Sequence, residues 1–111
     1  MANTFNNAQV DLTTTNVTTV YQAPSTAGNV AIVLSIMCAN VNGTNSADIS
    51  ILKTTSGDVV QSRLAHTIPV PADTSLEVVA NKLVLKAGEK IRAQASAANY
   101  FNITLSALEI T

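Results

Sequence analysis

Ten consecutive residues, Val30 to Ala39 (VAIVLSIMCA), constrain this chain more than any other stretch. Ser35 is their one polar side chain, and Val30, Ile32, Val33 and Ile36 are β-branched. The run is too short to cross a bilayer, which takes about 20 apolar residues in a helix. It has no 3.6-residue stripe with a polar back face, and it lies between Gly28-Asn29 and an asparagine-rich segment, 40–45. A short apolar run bounded by turn residues predicts a strand covered on both faces. The remaining strands must then pair beside it or pack over it, as in a two-layer β-domain.

A chain of 111 residues has room for one such domain. That length buries roughly two-thirds of its unfolded surface, enough for a core without staples. The one cysteine, Cys38, lies inside the apolar run and has no partner in the chain, so it is expected as a small buried hydrophobe. An intramolecular disulfide is excluded, which suits assembly in a reducing cytoplasm. The opening MANTFNNAQV has neither a basic nor an apolar signal region, so a secretory signal is not expected. The sequons at Asn16, Asn42 and Asn102 then read as chance matches.

Charge is the informative anomaly. Only 12% of residues are Asp, Glu, Lys or Arg, against about 25% in an average soluble domain. The polar positions are filled by uncharged groups instead, including fourteen threonines and eleven asparagines. Uncharged polar groups are cheaper to desolvate than ions, so such a surface is suited to association. A homo-oligomer or a place on a larger lattice is therefore expected. With a net charge of −1 and no basic patch, nucleic acid is not an expected partner, and no segment suggests a membrane span.

In chain order, residues 1–11 are polar with Phe5 and Val10 as isolated apolar points, and read as an N-terminal arm. The β-domain is expected over residues 12–111. Leu12 to Tyr21 reads as a first strand, and Pro24 and Gly28 as breakers of the turn that follows. Asn42-Gly43 after the central run is a hairpin signal. Ala47 to Lys53 alternates apolar and polar side chains. Val59 to Ala65 leads to Ile68-Pro69-Val70-Pro71, where the prolines remove donors and point to an edge or a crossover. Leu76 to Ala80 and Leu83 to Leu85 read as short strands, although a short helix competes over 71–80. Lys90 to Ala97 has the clearest period of two, its alanines suggesting close approach of a second sheet or a subunit. Asn102 to Ile110 closes the domain with Ile103, Leu105 and Ala107 inward. The sum is an all-β fold, a single-domain antiparallel β-sandwich or jelly-roll-like domain of about seven or eight short strands.

Chemistry is hard to place on this chain. His66 is the one histidine, so the clustered nitrogen and sulfur ligands of a metal centre are missing, and no strained nucleophile motif surrounds a serine. Asn40-x-Asn42-Gly43 lacks the acidic ligands of a calcium loop. No carboxylate pair is spaced for acid–base work, and no glycine-rich loop could cradle a phosphate. No enzyme activity and no cofactor, metal or otherwise, are expected. Sugar-binding β-sandwiches commonly present exposed aromatics, and here only Phe5, Tyr21, Tyr100 and Phe101 are available. Adjacent Tyr100 and Phe101 would point to opposite faces of a strand.

Two stretches carry a resemblance. Thr19-Val20-Tyr21-Gln22-Ala23-Pro24, running through the apolar strand to Ala39-Asn40-Val41-Asn42-Gly43-Thr44, resembles the opening of small virion proteins of tailed bacteriophages. Ile68-Pro69-Val70-Pro71-Ala72-Asp73 and Lys82 to Ala93 (KLVLKAGEKIRA) are similar to their second half. The resemblance covers about residues 17 to 110. It implies a non-enzymatic β-sandwich present in many copies on a particle, above all a capsid decoration (cement) protein. Its partner would be the major capsid protein or another virion protein, and its form a homo-oligomer, with a trimer favoured. A neck, tail or fibre component and a carbohydrate-binding module are the alternatives. The implied location is the virion, assembled in the host bacterial cytoplasm. Phe5, Val10, His66, Ile68, Pro69, Tyr100 and Phe101 are the candidate partner or oligomer contacts.

Overall fold

The apolar run becomes strand β3, Val30–Asn40, and the other strands are arranged around it. The computed structural model describes residues 3–79 and 82–111. Those residues hold eight further strands and no helix. They are β1 (Asn3–Asp11), β2 (Thr18–Gln22), β4 (Ala47–Thr54), β5 (Val60–Val70), β6 (Ser75–Glu77), β7 (Leu83–Lys86), β8 (Lys90–Ala95) and β9 (Phe101–Ile110). Sheet I runs β1-β9-β3-β6, with β7 also paired to β3, and sheet II runs β2-β8-β4-β5. Every pairing is antiparallel.

The pairings are nested. β1 pairs with β9, β2 with β8, β3 with β6 and β7, and β4 with β5 as the innermost hairpin. Along this folded hairpin the strands alternate between the sheets, the topology of a double-sheet jelly roll. The expected seven or eight strands become nine because β6 and β7 share the outer edge of β3, opposite Met37–Ala39 and Val30–Val33 respectively. Ala80 and Asn81, expected at a strand end and the turn after it, lie outside the described residues.

The inward side chains of both sheets meet in one core. Val33, Ile36 and Cys38 from β3, Ile103 and Leu105 from β9, Ile49 and Ile51 from β4, and Ile91 and Ala93 from β8 are all fully buried. Each large side chain buried this way contributes about 1.5–3 kcal/mol. The β8 alanines face sheet I, so their small size serves sheet packing.

Four sequence expectations are modified. The arm expected over residues 1–11 is, over its described residues, strand β1, paired with β9 for its whole length. Its asparagines hide the alternation, which places Ala8 and Val10 against the core. Asn42-Gly43 does not join a hairpin, because β3 and β4 belong to different sheets. Gly43 is not in the left-handed region that a two-residue hairpin requires; Asn42 Oδ1 instead accepts from the backbone N–H groups of Thr44 and Asn45, turning the chain between sheets. The strand expected from Leu12 begins only at Thr18. Leu12 itself is fully buried, donates its N–H to the Phe101 carbonyl at 3.0 Å and accepts from Asn99 N–H at 2.8 Å. Finally, β3 is buried on its inward face alone, while Val30 and Ile32 are half-covered and Met37 is exposed.

Candidate interaction surface

Residues directly opposite in an antiparallel pair share a face, so the register lays out the outward side of sheet I. One row crosses four strands: Phe5 on β1, Leu108 on β9, Ile32 on β3 and Val84 on β7. All four are apolar, and Phe5 and Val84 are 77% and 54% exposed. The adjoining row reads Asn3, Ile110, Val30, Lys86. On the other side come Asn7, Ser106 and Ser35, then Gln9, Thr104, Met37 and Glu77. No outward residue of β9 or β3 is charged, and Lys86, Glu77 and Asp11 stand on the flanking strands. This is an apolar strip set in a neutral polar field, at the centre of a sheet whose opposite face is the core.

The alternation producing the strip is continuous with the alternation producing the core. In β9, Ile103, Leu105 and Ala107 go in while Thr104, Ser106 and Leu108 go out. In β3, a bulge between Val33 and Ser35 shifts the register, and Glu77 Oε1 accepts the N–H of Ile36 at 3.0 Å beside it. The bulge thereby keeps both halves of the apolar run in phase with the core.

Among the described residues the ion pairs lie elsewhere, around β4 and β8 of sheet II. Lys53 Nζ meets Glu89 Oε2 at 3.1 Å, and Lys90 Nζ meets Asp58 Oδ1 at 2.8 Å, with Arg92 at 3.8 Å. Burial alone would raise Glu89, but the Lys86 N–H and the Lys53 ammonium outweigh it and hold the carboxyl below its ordinary value. The hydrogen bond from Lys90 holds Asp58 below its ordinary value as well. The Tyr21 hydroxyl donates to Glu109; burial first, then that partner, raises its pKa well above the usual tyrosine range. Cys38 is fully buried as expected, and burial, followed by the charge of Glu77, pushes its thiol up to about 12. A thiol held neutral in this way is not a nucleophile.

Of the sequence candidates, Phe5 is placed on the outward strip. Ile68 and Pro69 are exposed on β5, an edge strand of sheet II, where a missing proline donor is tolerated. His66 is exposed at a bulge in that strand; beside it Thr67 has φ of 48° and donates its N–H to Ser50 Oγ at 2.9 Å. Three candidates face inward or are tied into the fold. Phe101 is a core residue, Val10 packs against the core, and Tyr100 is partly buried with its hydroxyl accepting from Asn45 Nδ2 at 3.2 Å. Ile32, Val84 and Leu108 were missed, because membership of one face depends on pairing register between strands distant in sequence. Shallow hollows also mark the surface. One of about 290 Å³ is lined by Thr15, Asp48, Ser50, Thr67 and Gln94 among others, and one of about 340 Å³ lies around Val41, Asp73 and Thr74. Neither has an aromatic wall, and among the described residues no three His, Cys, Asp or Glu side chains are grouped to hold a metal.

No protein-family model matches the sequence, and no curated protein matches it. Solved structures are similar in fold. One is a chain from Bacillus endospore appendages, described as disulfide-linked pili, at 12% identity and a TM-score of 0.58 over 98% of this chain and 88% of that one. Another is a chain from the acid-stable capsid of Helicobacter pylori bacteriophage KHP30, also at 12% identity and a TM-score of 0.58, over 100% of this chain and 89% of that one. Likeness at this identity shows the fold alone, an all-β arrangement of two packed antiparallel sheets.

Proposed function

We propose that this chain is a non-enzymatic structural protein of a bacteriophage virion, a capsid decoration (cement) protein bound to the major capsid protein as a homo-oligomer. The observation that carries the reading is the outward face of sheet I. An apolar strip in a neutral polar field suits a protein that works by association, since apolar anchors supply affinity and the rim costs little to desolvate. Jelly rolls are common in viral capsids but also serve other roles, so the fold adds weight and the surface carries the reading. Both solved neighbours belong to multi-subunit assemblies, a pilus and a phage capsid. Copy-to-copy disulfides of the first kind are not open to this chain as folded, because Cys38 is fully buried.

On a particle the protein would sit where capsid subunits meet. Its symmetry would follow the axis it occupies, a trimer at a three-fold and a dimer at a two-fold. Binding to the assembled shell and not to free subunits stabilises the shell by mass action. β1, the exposed edge of sheet I, is the element able to reach a neighbouring subunit by strand addition. Assembly takes place in the host bacterial cytoplasm. A neck, tail or fibre component would use the same surface in fewer copies, whereas no observation favours sugar binding.

The test is the copy number of this chain relative to the major capsid protein in purified particles, by quantitative mass spectrometry. Near-stoichiometric amounts support decoration of the head. A small fixed number moves the protein to the neck, tail or fibres, and absence from particles overturns the structural reading.

A further inference from the structure

We propose that the outward face of sheet I packs against the same face of a second copy, making a two-fold dimer in solution. The inference rests on the assembly reading above and assigns to that reading the surface it uses.

The first argument is area. The strands of sheet I lie ~4.8 Å apart and rise ~3.4 Å per residue, so the outward face measures about 19 Å by 30 Å, and two such faces remove roughly 1,200 Å² from water. That reaches the lower bound of specific protein–protein interfaces, which a strip of four apolar side chains alone would not. Two twisted sheets stack face to face about 10 Å apart with their strands about 30° off parallel, a packing that two copies of this face can adopt.

The second argument is complementarity in charge and shape. A two-fold axis running along the strands lays Phe5 over the second copy's Val84, and Leu108 over its Ile32. The same operation brings the three flanking charges onto uncharged partners: Lys86 meets Asn3, Glu77 meets Gln9, and Asp11 meets Ser75. No two like charges are brought together. A partner recognised through charge would find nothing to pair with on β9 and β3, whereas the face accepts a copy of itself without repulsion. The operation is isologous and therefore closed, so it yields a dimer and not an open fibre.

The experiment is sedimentation equilibrium on the full chain up to about 500 µM, a range set by the small interface, with two double variants. Phe5→Ser with Val84→Thr removes the exposed ends of the strip. Val59→Thr with Val60→Thr removes a comparable exposed apolar pair, 63% and 41% exposed, from the start of edge strand β5 in sheet II. All four positions are exposed, and circular dichroism checks that each variant keeps the fold. The expected result is a dimer for the wild type and for the Val59/Val60 variant, with dimerisation weakened roughly 30-fold or more in the Phe5/Val84 variant, the loss produced by removing an interface hot spot. A wild-type monomer throughout the range, a trimer, or a dimer indifferent to Phe5 and Val84 overturns the proposal. Loss of particle attachment in the Phe5/Val84 variant of a monomeric protein does so too, by giving the face to a capsid partner. Absence of the chain from particles would overturn the virion reading while leaving the dimer measurement as it stands.

Discussion

Asn40 is 2% exposed and ties three parts of the roll together, so its removal tests the account of the fold closely. Its Nδ2 donates to the carbonyls of Val70, at 2.9 Å, and Asn45, at 3.1 Å, while its Oδ1 accepts from Asn42 N–H at 2.9 Å. The end of β3, the crossover to β4 and the end of β5 therefore meet on one amide. Asn40→Ala removes all three bonds. The Val70 carbonyl loses a buried donor, at about 1–3 kcal/mol, and the two partners nearer solvent lose about 0.5–1 kcal/mol each. The expected loss is about 3 kcal/mol, which lowers Tm by about 12 °C in a domain of this size. Asn40→Asp supplies a sharper contrast. It keeps the acceptor toward Asn42 but turns an oxygen toward two carbonyl oxygens, so near neutral pH it should cost at least as much as alanine. Urea and thermal unfolding followed by far-UV circular dichroism measure both variants. A loss below about 1 kcal/mol for Asn40→Ala, or an Asn40→Asp protein as stable as the parent, refutes the reasoning.

Other predictions follow from the remaining buried and paired groups. The Cys38 thiol titrates at about 12 in the folded chain against an ordinary value of 9.0, so the stability it contributes is complete below pH 9.0 and falls as pH rises from there toward about 12. Cys38→Ala should be less stable at pH 7 by about 1 kcal/mol for the vacated volume, and urea titrations above pH 9.0 should show that gap narrowing. In the parent, the thiol should also stay silent to a thiol reagent until unfolding, and fast native labelling would refute its burial. Glu89 is held below its ordinary value of 4.5, so its contribution is present above that pH and is lost as pH falls through the depressed folded value. Glu89→Gln should flatten the acid limb of the stability profile by lowering its neutral part, with little change at the acid end. Deleting residues 2–11 strips β1 from β9; the shortened roll should fold with lowered stability and bind particles weakly, and full occupancy after deletion rejects a role for β1 in attachment.

Legibility in the sequence was uneven for physical reasons. Val30 to Ala39 announces the central strand because β-branched apolar residues between turn residues leave few other conformations. Alternation in 90–97 and 102–110 identifies inward and outward residues because the strand period of two is local. Asn42-Gly43 misleads because the same side-chain turn chemistry serves a hairpin and a crossing between sheets, and only the partner strand distinguishes them. β1 hides for a related reason: its outward positions are mostly asparagine and glutamine, and its pairing partner lies about a hundred residues away. The interaction strip is the extreme case. Phe5, Ile32, Val84 and Leu108 come from four strands, and no window along the chain contains two of them.

The nested pairing also sets when this protein can fold. β9 lies between β1 and β3 in sheet I, with Asn3 opposite Ile110 and Val30 opposite that same isoleucine. On a ribosome, β1 and β3 emerge long before the strand that must separate them, so sheet I has no centre until Ile110 has been made. Folding is then governed by closing the longest loops, which places it in the slow, millisecond-to-second range of non-local β-proteins. Until closure the apolar inner face of β3 lacks its β9 partner, and the interval before β9 docks is when this chain is most exposed to aggregation.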